Sequence, residues 1–154
     1  MASLVITEGI MLVASLVIAT ALSGAVMAKV GVFQSAFTSA SETQKDITLT
    51  QIKIIYATNS SSTKINIYVK NIGATSIAGL SLVDVYFGQV HAAQKIPYNS
   101  TTPTWIFANP ISVWNIKTTT EIDINNNIPL QKNTMYMIRV SAPNGVSDDY
   151  FFST

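Results

Sequence analysis

The stretch from Gly9 to Ala28 reads GIMLVASLVIATALSGAVMA and contains no charged residue and no proline. Glu8 precedes it and Lys29 follows it. About 20 residues at a rise of roughly 1.5 Å each form a helix of about 30 Å, which matches the hydrocarbon core of a bilayer. Because backbone groups in lipid must bond to one another, this single segment is predicted to be helical there.

Three interpretations of this segment compete: a retained membrane helix, a cleaved secretory signal and a helix buried in a protein core. A secretory signal carries a basic region ahead of its apolar region. Residues 1–8, MASLVITE, contain no Lys or Arg. Core helices are usually shorter and less uniformly apolar. The composition therefore favours a retained apolar helix.

A retained helix of this kind lies either in lipid or in the core of a filament built from copies of the chain. Its small residues include the pairs Ala21 with Ala25 and Gly24 with Ala28, which have the spacing that lets helices approach closely. We therefore predict membrane or assembly contacts along this helix at Gly9, Ile10, Leu12, Leu16, Ala21, Gly24, Ala25 and Ala28.

The next segment, residues 30–45, keeps a helical rhythm in the sequence VGVFQSAFTSASETQK. Val30, Phe33 and Phe37 fall at i, i+3 and i+7 and so lie on one apolar stripe. We expect the helix to continue as a stalk whose stripe packs on the following domain or on neighbouring copies. Residues 1–45 are thus predicted to form a membrane or assembly helix with its stalk.

From Ile47 the hydrophobic period changes to two, which is typical of strands. Strands are predicted at residues 47–56, 64–73, 80–87, 104–107, 111–116, 118–124, 134–140 and 146–152. Turn residues separate them at short intervals, and no helix is predicted after about residue 45. The pattern predicts an all-β, immunoglobulin-like antiparallel sandwich over residues 46–154, without the disulfide of antibody domains because the chain has no cysteine.

Charge is scarce in this chain: charged residues make up 11% of it and the formal net charge is +1. No basic stripe is present, so a nucleic-acid partner is not expected. A surface with few carboxylates changes little on protonation, which suits an acidic exterior. On this hypothesis the domain should not lose stability steeply in acid.

Residues with catalytic or metal-binding potential are few. His91 is the single histidine, which excludes a multi-histidine metal site or a catalytic triad within one chain. The pairs Glu121 with Asp123 and Asp148 with Asp149 are candidates for calcium ligands or acid–base groups, but a solvated surface accounts for them. We predict no catalytic residue, no metal, no cofactor and no enzymatic activity.

Aromatic residues suggest an interface instead. Tyr150, Phe151 and Phe152 are consecutive, and successive side chains of a strand alternate between its faces. At least one of the three should therefore be exposed or covered by a partner. Together with the stalk phenylalanines and two tryptophans in a proline-bounded region, the candidate interface residues are Phe33, Phe37, Trp105, Trp114, Tyr150, Phe151 and Phe152. Association through these aromatics and through open strand edges is expected.

Two Asn-x-Ser/Thr acceptor patterns begin at Asn59 and Asn99, both in polar, turn-rich segments. Lys29 alone would place the β domain in the cytoplasm by the positive-inside rule. The two glycosylation patterns and the sandwich favour the opposite side. We predict a single-pass protein of the cell membrane with an extracytoplasmic β domain.

The opening MASLVITEGIMLVASLVIATALSGAV, followed by YVKNIGATSI at residues 68–77, resembles the archaellum stator family of FlaG and FlaF, and looks closer to FlaG. The resemblance implies a membrane-anchored, structural component of the archaeal flagellum motor. It also implies an immunoglobulin-like sandwich between the membrane and the surface layer. The expected partners are copies of the chain itself, a FlaF-like stator partner, the S-layer and other archaellum components.

Archaellins and archaeal type IV pilins share this plan of helix and sandwich. They are made with a leader that ends in a basic residue and glycine, and no Lys or Arg precedes Glu8 here. Processing of that kind is therefore not expected. Glu8 nevertheless resembles the acidic residue near the start of pilin helices, which keeps a filament subunit as the alternative.

Overall fold

The computed structural model describes residues 2–154, with side chains from Ser3 onward, and it begins with one long helix, α1, at Ala2–Leu49. The chain divides by its contacts into two compact units. Residues up to Thr43 form the first unit, and Gln44–Thr154 form the second, called the head from here on.

The first unit consists of α1 alone, and its described side chains from Ser3 are all exposed in the single chain. Hydroxyl groups in the apolar stretch bond back to the helix itself. Thr20 Oγ1 donates to the carbonyl of Val17 at 2.9 Å, and Ser23 Oγ donates to that of Ala19 at 2.8 Å. The stretch thus presents almost no unsatisfied polar group to its surroundings, which is the condition for a helix in lipid.

The helix continues beyond the predicted boundary, because residues 47–49 are helical rather than the start of a strand. Contacts from the head explain its end point. Thr50 N and Oγ1 both donate to the carbonyl of Asp46, at 3.0 and 2.7 Å, and Asn144 Nδ2 donates to Thr50 Oγ1 at 2.7 Å. Asn144 is distant in sequence, so the alternating pattern of ITLT gave no sign of this cap.

The head contains eight strands within the described residues. They are β1 Ile52–Asn59, β2 Lys64–Asn71, β3 Asp84–Gln89, β4 Gln94–Ile96, β5 Thr104–Phe107, β6 Thr119–Asn125, β7 Met135–Ser141 and β8 Ser147–Ser153. One sheet has the order β1-β2-β6-β5 and the other the order β4-β3-β7-β8, and every pairing between these strands is antiparallel. The predicted fold class, an N-terminal helix followed by a two-sheet antiparallel sandwich, is confirmed.

Three local predictions within the head were wrong. Leu80–Leu82 is a 3-10 turn after Gly79, whose φ is +68°. Residues 111–116 form no strand; Trp114 exchanges two backbone hydrogen bonds of 2.9 Å with Ile77 and makes no longer ladder. β4 was not predicted, because its three residues gain their structure from pairing with β3 and carry no alternation of their own.

The core lies between the two sheets and is formed by alternate residues of each strand. Ile65, Ile67 and Val69 of β2 are fully buried, as are Ile122 and Ile124 of β6. Val85, Ile138 and Val140 supply the same kind of surface from the second sheet. This interdigitation of branched aliphatic side chains is what a period of two predicts for a sandwich.

Gly73 marks a close approach between a loop of the head and the end of α1. Its amide and that of Ile72 donate to the carbonyl of Gln51, at 2.9 and 2.8 Å, and Ala74 N donates to the carbonyl of Leu49 at 2.8 Å. A Cβ atom on Gly73 would lie 2.5 Å from the Leu49 oxygen and 2.5 Å from the Gln51 nitrogen. Only glycine fits there, since both neighbours are backbone atoms.

We therefore expect Gly73→Ala to destabilise the head by at least about 1–3 kcal/mol, because the backbone must shift to admit the methyl group. Urea unfolding followed by tryptophan fluorescence measures the change, since both tryptophans lie in the head. Gly31→Ala is the matched control, because nothing lies within 4 Å of a Cβ atom at that position. Equal stability of the two variants would contradict the close approach.

Candidate functional interfaces

The surface of α1 is the largest apolar surface of the chain. The predicted contact positions Ile10, Leu12 and Leu16 are 64%, 70% and 62% exposed, and the stalk residues Phe33 and Phe37 are exposed as well. The helix contains a window with a mean hydropathy of 2.3, and it has the length and composition to cross a membrane. A soluble single chain does not leave a surface of this extent uncovered.

The three consecutive aromatics of β8 separate into two groups, as the alternation of strand side chains requires. Tyr150 and Phe152 pack against the core, and the ring of Phe152 lies 5.9 Å from that of Tyr136. Phe151 points the other way and is 52% exposed. Among the three, Phe151 alone offers a free aromatic surface.

Phe151 belongs to an apolar patch on the outer face of the second sheet, called the β7–β8 patch and formed by Met135, Met137 and Phe151. Met137 pairs directly with Phe151, and Met135 is 56% exposed. Arg139 and Asp149 border the patch as a bidentate ion pair with N–O distances of 2.6 and 2.7 Å. The alternation in MYMIRV could have revealed the two methionines, but sequence analysis singled out aromatics only.

Trp105 and Trp114 are not interface residues, and this part of the sequence prediction is wrong. Each is 1% exposed. Trp105 lies on the inward face of β5 against Tyr98 and Phe107, with ring centroids 4.6 and 5.3 Å away. Trp114 Nε1 donates to the carbonyl of Thr118 at 3.2 Å. Large aromatics between prolines look exposed in sequence, but here they close one end of the core.

Two of the four open strand edges expected for association, those of β5 and β1, are occupied by groups of the chain itself. Trp105 N donates to the carbonyl of Pro97, and Asn99 N donates to that of Trp105, both at 3.0 Å, so this segment covers the edge of β5. On β1, the carboxylate of Asp148 accepts hydrogen bonds of 2.8 Å from Ile54 N and from Lys53 Nζ. Covered edges discourage strand addition, so the faces of the head are better placed for association.

The candidate carboxylates are committed to structural bonds. Asn66 Nδ2 donates to Glu121 Oε1 at 2.8 Å and to Asp123 Oδ1 at 3.0 Å, and Tyr68 donates to Glu121 at 3.0 Å. Burial, reinforced by the charge of Glu121, raises the pKa of Asp123, and Lys64 opposes the change. Within the described chain no three His, Asp or Glu side chains come together in a group that could hold a metal ion.

The ion pair of Arg139 and Asp149 has the opposite effect on its carboxyl group. The hydrogen bonds from Arg139 lower the pKa of Asp149, and burial opposes this only in part.

His91 lies exposed in the turn between β3 and β4, with a φ of +70°. Asn59 and Asn99 are exposed as well, at the end of β1 and in the loop after β4. Whether they carry glycans stays a prediction.

Comparison with known proteins identifies the class. The sequence profile of archaeal-type flagellin matches residues 2–152, and the chain therefore belongs to the archaeal-type flagellin family. The comparison with curated proteins gave no match.

Among solved structures the head is similar to the archaellum periplasmic stator protein FlaG from Sulfolobus acidocaldarius. The two are 36% identical with a TM-score of 0.64, over 68% of this chain and 100% of that one. A second structure, the complex of FlaF and FlaG from the same organism, gives 36% identity and a TM-score of 0.63, over 68% of this chain and 90% of that one. The resemblance to FlaG stated from the sequence is confirmed.

The archaeal flagellum of Methanospirillum hungatei strain JF1 shares the fold of the whole chain. Its TM-score is 0.71 at 13% identity, over 95% of this chain and 91% of that one. At this identity the likeness concerns the fold alone. The arrangement of one helix followed by an immunoglobulin-like sandwich is thus also found in that archaeal flagellum.

The opposite pKa shifts of Asp123 and Asp149 predict opposite effects of neutralisation. Asp123→Asn should raise the free energy of unfolding at pH 7, because the raised pKa reports a carboxylate that the fold disfavours. The gain should vanish as the pH falls below the ordinary value of 3.8, where the wild-type group is protonated in both states. Asp149→Asn should lower stability at pH 7, with the loss disappearing below the depressed pKa.

Urea unfolding at a series of pH values measures both variants against the wild type. As the pH falls towards 3.8, protonation of Asp123 should raise the stability of the wild-type head, and below that value protonation of Asp149 should lower it. Two variants that shift stability in the same direction at pH 7 would contradict these electrostatics.

Proposed function

We propose that the chain is a membrane-anchored, non-enzymatic stator subunit of the archaellum that holds its neighbours together and to the cell envelope. The observation that carries the proposal is the 36% identity to FlaG over that protein's entire solved length. The filament protein with the same fold is only 13% identical, so the sequence of the head favours the stator.

In this proposal, α1 is the anchor and residues 1–45 provide the membrane helix and stalk. The uncharged surface from Gly9 to Ala28 faces lipid, and the small residues Ala21, Gly24, Ala25 and Ala28 allow copies of the helix to pack there. The β domain predicted over residues 46–154 lies on the extracytoplasmic side. The two exposed acceptor asparagines, Asn59 and Asn99, support that side.

The last turn of α1 belongs to the head and is capped by other residues of the head. The carbonyls of Asp46 and Leu49 accept hydrogen bonds from Thr50, Asn144 and Ala74 of the head. These bonds tie the last turn of the helix to two separate loops, and Gly73 lets one of them approach closely.

The solved structures similar to this chain suggest its binding partners. One solved relative is a complex of FlaF and FlaG, which supports a FlaF-like partner for this chain. Self-association and attachment to the S-layer complete the proposal. For self-association the β7–β8 patch is the best-placed surface of the head, since it combines an exposed aromatic and methionines with a charged rim.

A filament subunit is the second candidate. The specific observation in its favour is that the archaeal flagellum of Methanospirillum hungatei strain JF1 matches 95% of this chain, helix included. In that role α1 would pack with its copies in the filament core. The same apolar surface serves both roles, so the fold does not separate them.

Mechanical shearing of motile cells that produce the protein separates the two functions. Filaments detach, and quantitative mass spectrometry then measures the chain in the filament and cell-body fractions. A stator subunit stays with the cell envelope at an amount far below that of the filament protein. Recovery of most of the chain in the sheared filaments would overturn the stator role and support the filament subunit.

Phe151→Ser is expected to weaken self-association without unfolding the head, because the side chain is exposed and touches the core little. Loss of an exposed aromatic anchor should raise the dissociation constant about tenfold or more. Sedimentation equilibrium of the full chain in detergent measures this. Leu82→Ser, at a side chain 68% exposed and outside the patch, is the control. An unchanged dissociation constant in Phe151→Ser would exclude the patch.

A further inference from the structure

The head contains a cavity of about 360 Å³ that no step of the proposed function uses. It lies between β4, the turn before it and the loop that joins β6 to β7. Buried Phe87, Ile96 and Tyr136 form its floor. Five residues with side-chain amides also line it, namely Gln89, Gln94, Asn126, Asn127 and Gln131, beside apolar residues such as Ile128 and Pro129.

The amides of this lining keep most of their hydrogen-bonding capacity for a ligand. Gln89 Nε2 donates to Gln131 Oε1 at 3.2 Å, and Asn126 Nδ2 donates to the carbonyl of Ile128 at 2.8 Å. Among residues 3–154, no hydrogen bond engages the side-chain amides of Gln94 and Asn127. Each of these two groups therefore presents both a carbonyl acceptor and an NH₂ donor to the cavity region.

The cavity is held open by backbone contacts, so it is preformed. The loop of Asn126 is tied to the β1–β2 turn, because Asn126 N donates to Thr63 O at 2.8 Å and Leu130 N donates to Ser62 O at 2.7 Å. On the opposite wall, a Cβ atom on Gly88 would lie 2.6 Å from the carbonyl oxygen of Ala92. A preformed site loses little free energy to ordering when a ligand binds.

The charge of the cavity excludes ionic ligands. No carboxylate belongs to its lining in the described chain, and its one cation, Lys95, is paired with Asp84 at 2.7 Å. A ligand must then be neutral, must both donate and accept hydrogen bonds, and must have an apolar side for the floor. Sugar rings have these properties, since their hydroxyl groups do both and their C–H faces are apolar.

We propose that this cavity binds a neutral saccharide, with Gln94 and Asn127 as the principal hydrogen-bonding residues. The volume is near the low end of the roughly 300–1,000 Å³ of small-molecule sites, which fits about one sugar ring. None of the amides titrates, so binding is independent of pH in acid. The inference does not depend on the stator role.

An extended peptide fits the same cavity less well. A peptide would pair with β4, whose three residues offer a short ladder. Pro97, directly after β4, has no amide hydrogen, and His91 before it has a φ of +70°, so the chain turns away at both ends. Strand addition therefore lacks the continuous row of backbone groups that it needs.

The test is a titration of the isotope-labelled full chain, made without glycosylation and held in a detergent that has no sugar headgroup. Glucose, galactose, mannose, N-acetylglucosamine and their methyl glycosides are added at millimolar concentrations. Side-chain amide resonances are followed by NMR. Saturable shifts at Gln94 and Asn127 are expected with at least one sugar, with the same affinity at neutral and acidic pH.

Variants and controls make the result specific. Gln94→Met combined with Asn127→Leu should weaken binding roughly tenfold or more, because two exposed amides are lost without disturbing the core. Gln51→Met removes an exposed amide outside the cavity and should bind as the wild type does. Binding that is equal in the double variant would overturn the assignment.

Two further outcomes are decisive. A methyl glycoside carries a methyl group at the position through which a glycan is attached to its carrier. If the methyl glycosides bind, the ligand is the terminal sugar of an attached glycan. If a free sugar binds and its methyl glycoside does not, the ligand is a free saccharide. Either result keeps the saccharide site. Absence of saturable shifts with every sugar, or shifts produced only by an unstructured peptide, would overturn it.

Discussion

The need to cover the apolar surface of α1 governs the rest of this molecule. The helix satisfies its own backbone and returns its hydroxyl groups to its own carbonyls, so it presents hydrocarbon on every side. Exposing such an apolar surface to water is unfavourable, whereas lipid or a bundle of identical helices buries it. The head is correspondingly self-sufficient. Its core is complete, its tryptophans are buried, and two of its strand edges are occupied by its own groups. In the proposed role, lipid or copies of the helix cover α1, and the head contacts the partner proteins.

The last turn of α1 lies within the head and is capped by it. A helix ends with unpaired carbonyls, and here the head supplies donors to them from two loops that are distant in sequence. The same residues that end the helix therefore also fix it to the sandwich. Gly73 is part of the recognition pattern YVKNIGATSI, and its close approach to Leu49 and Gln51 gives a physical reason for a glycine there. A glycine in the sequence pattern that first indicated the family is thus required by close backbone packing within the head.

The fold class was predictable from the sequence because the two hydrophobic patterns that define it are local properties of the chain. Uninterrupted apolar residues predicted the helix, and alternation predicted most strands. Features that depend on distant partners were not predictable. Asn144 caps the end of α1, and β4 forms only by pairing with β3. Within residues 111–116, the pairing with Ile77 is limited to one bridge at Trp114.

The interface prediction shows the same limit. Alternation required one exposed aromatic in β8, and Phe151 is exposed. Trp105 and Trp114 are core residues, because Tyr98 packs on Trp105 and because Trp114 lies beside Phe107 and is bridged to Ile77. The amide-lined cavity gave no sequence signal, because its residues come from three separate segments.

Retention of the helix in lipid is the claim on which the account depends most directly, and a charge at its centre tests it. Ile18→Lys should cost about 2.5–3.5 kcal/mol on insertion scales, whereas Ser39→Lys, beyond Lys29 on the stalk, should cost little. The measurement is the fraction of each full-length variant that remains with membranes after an alkaline carbonate wash. The account predicts that Ser39→Lys is retained like the wild type and that much of Ile18→Lys is released. Full retention of Ile18→Lys would contradict a lipid-embedded anchor.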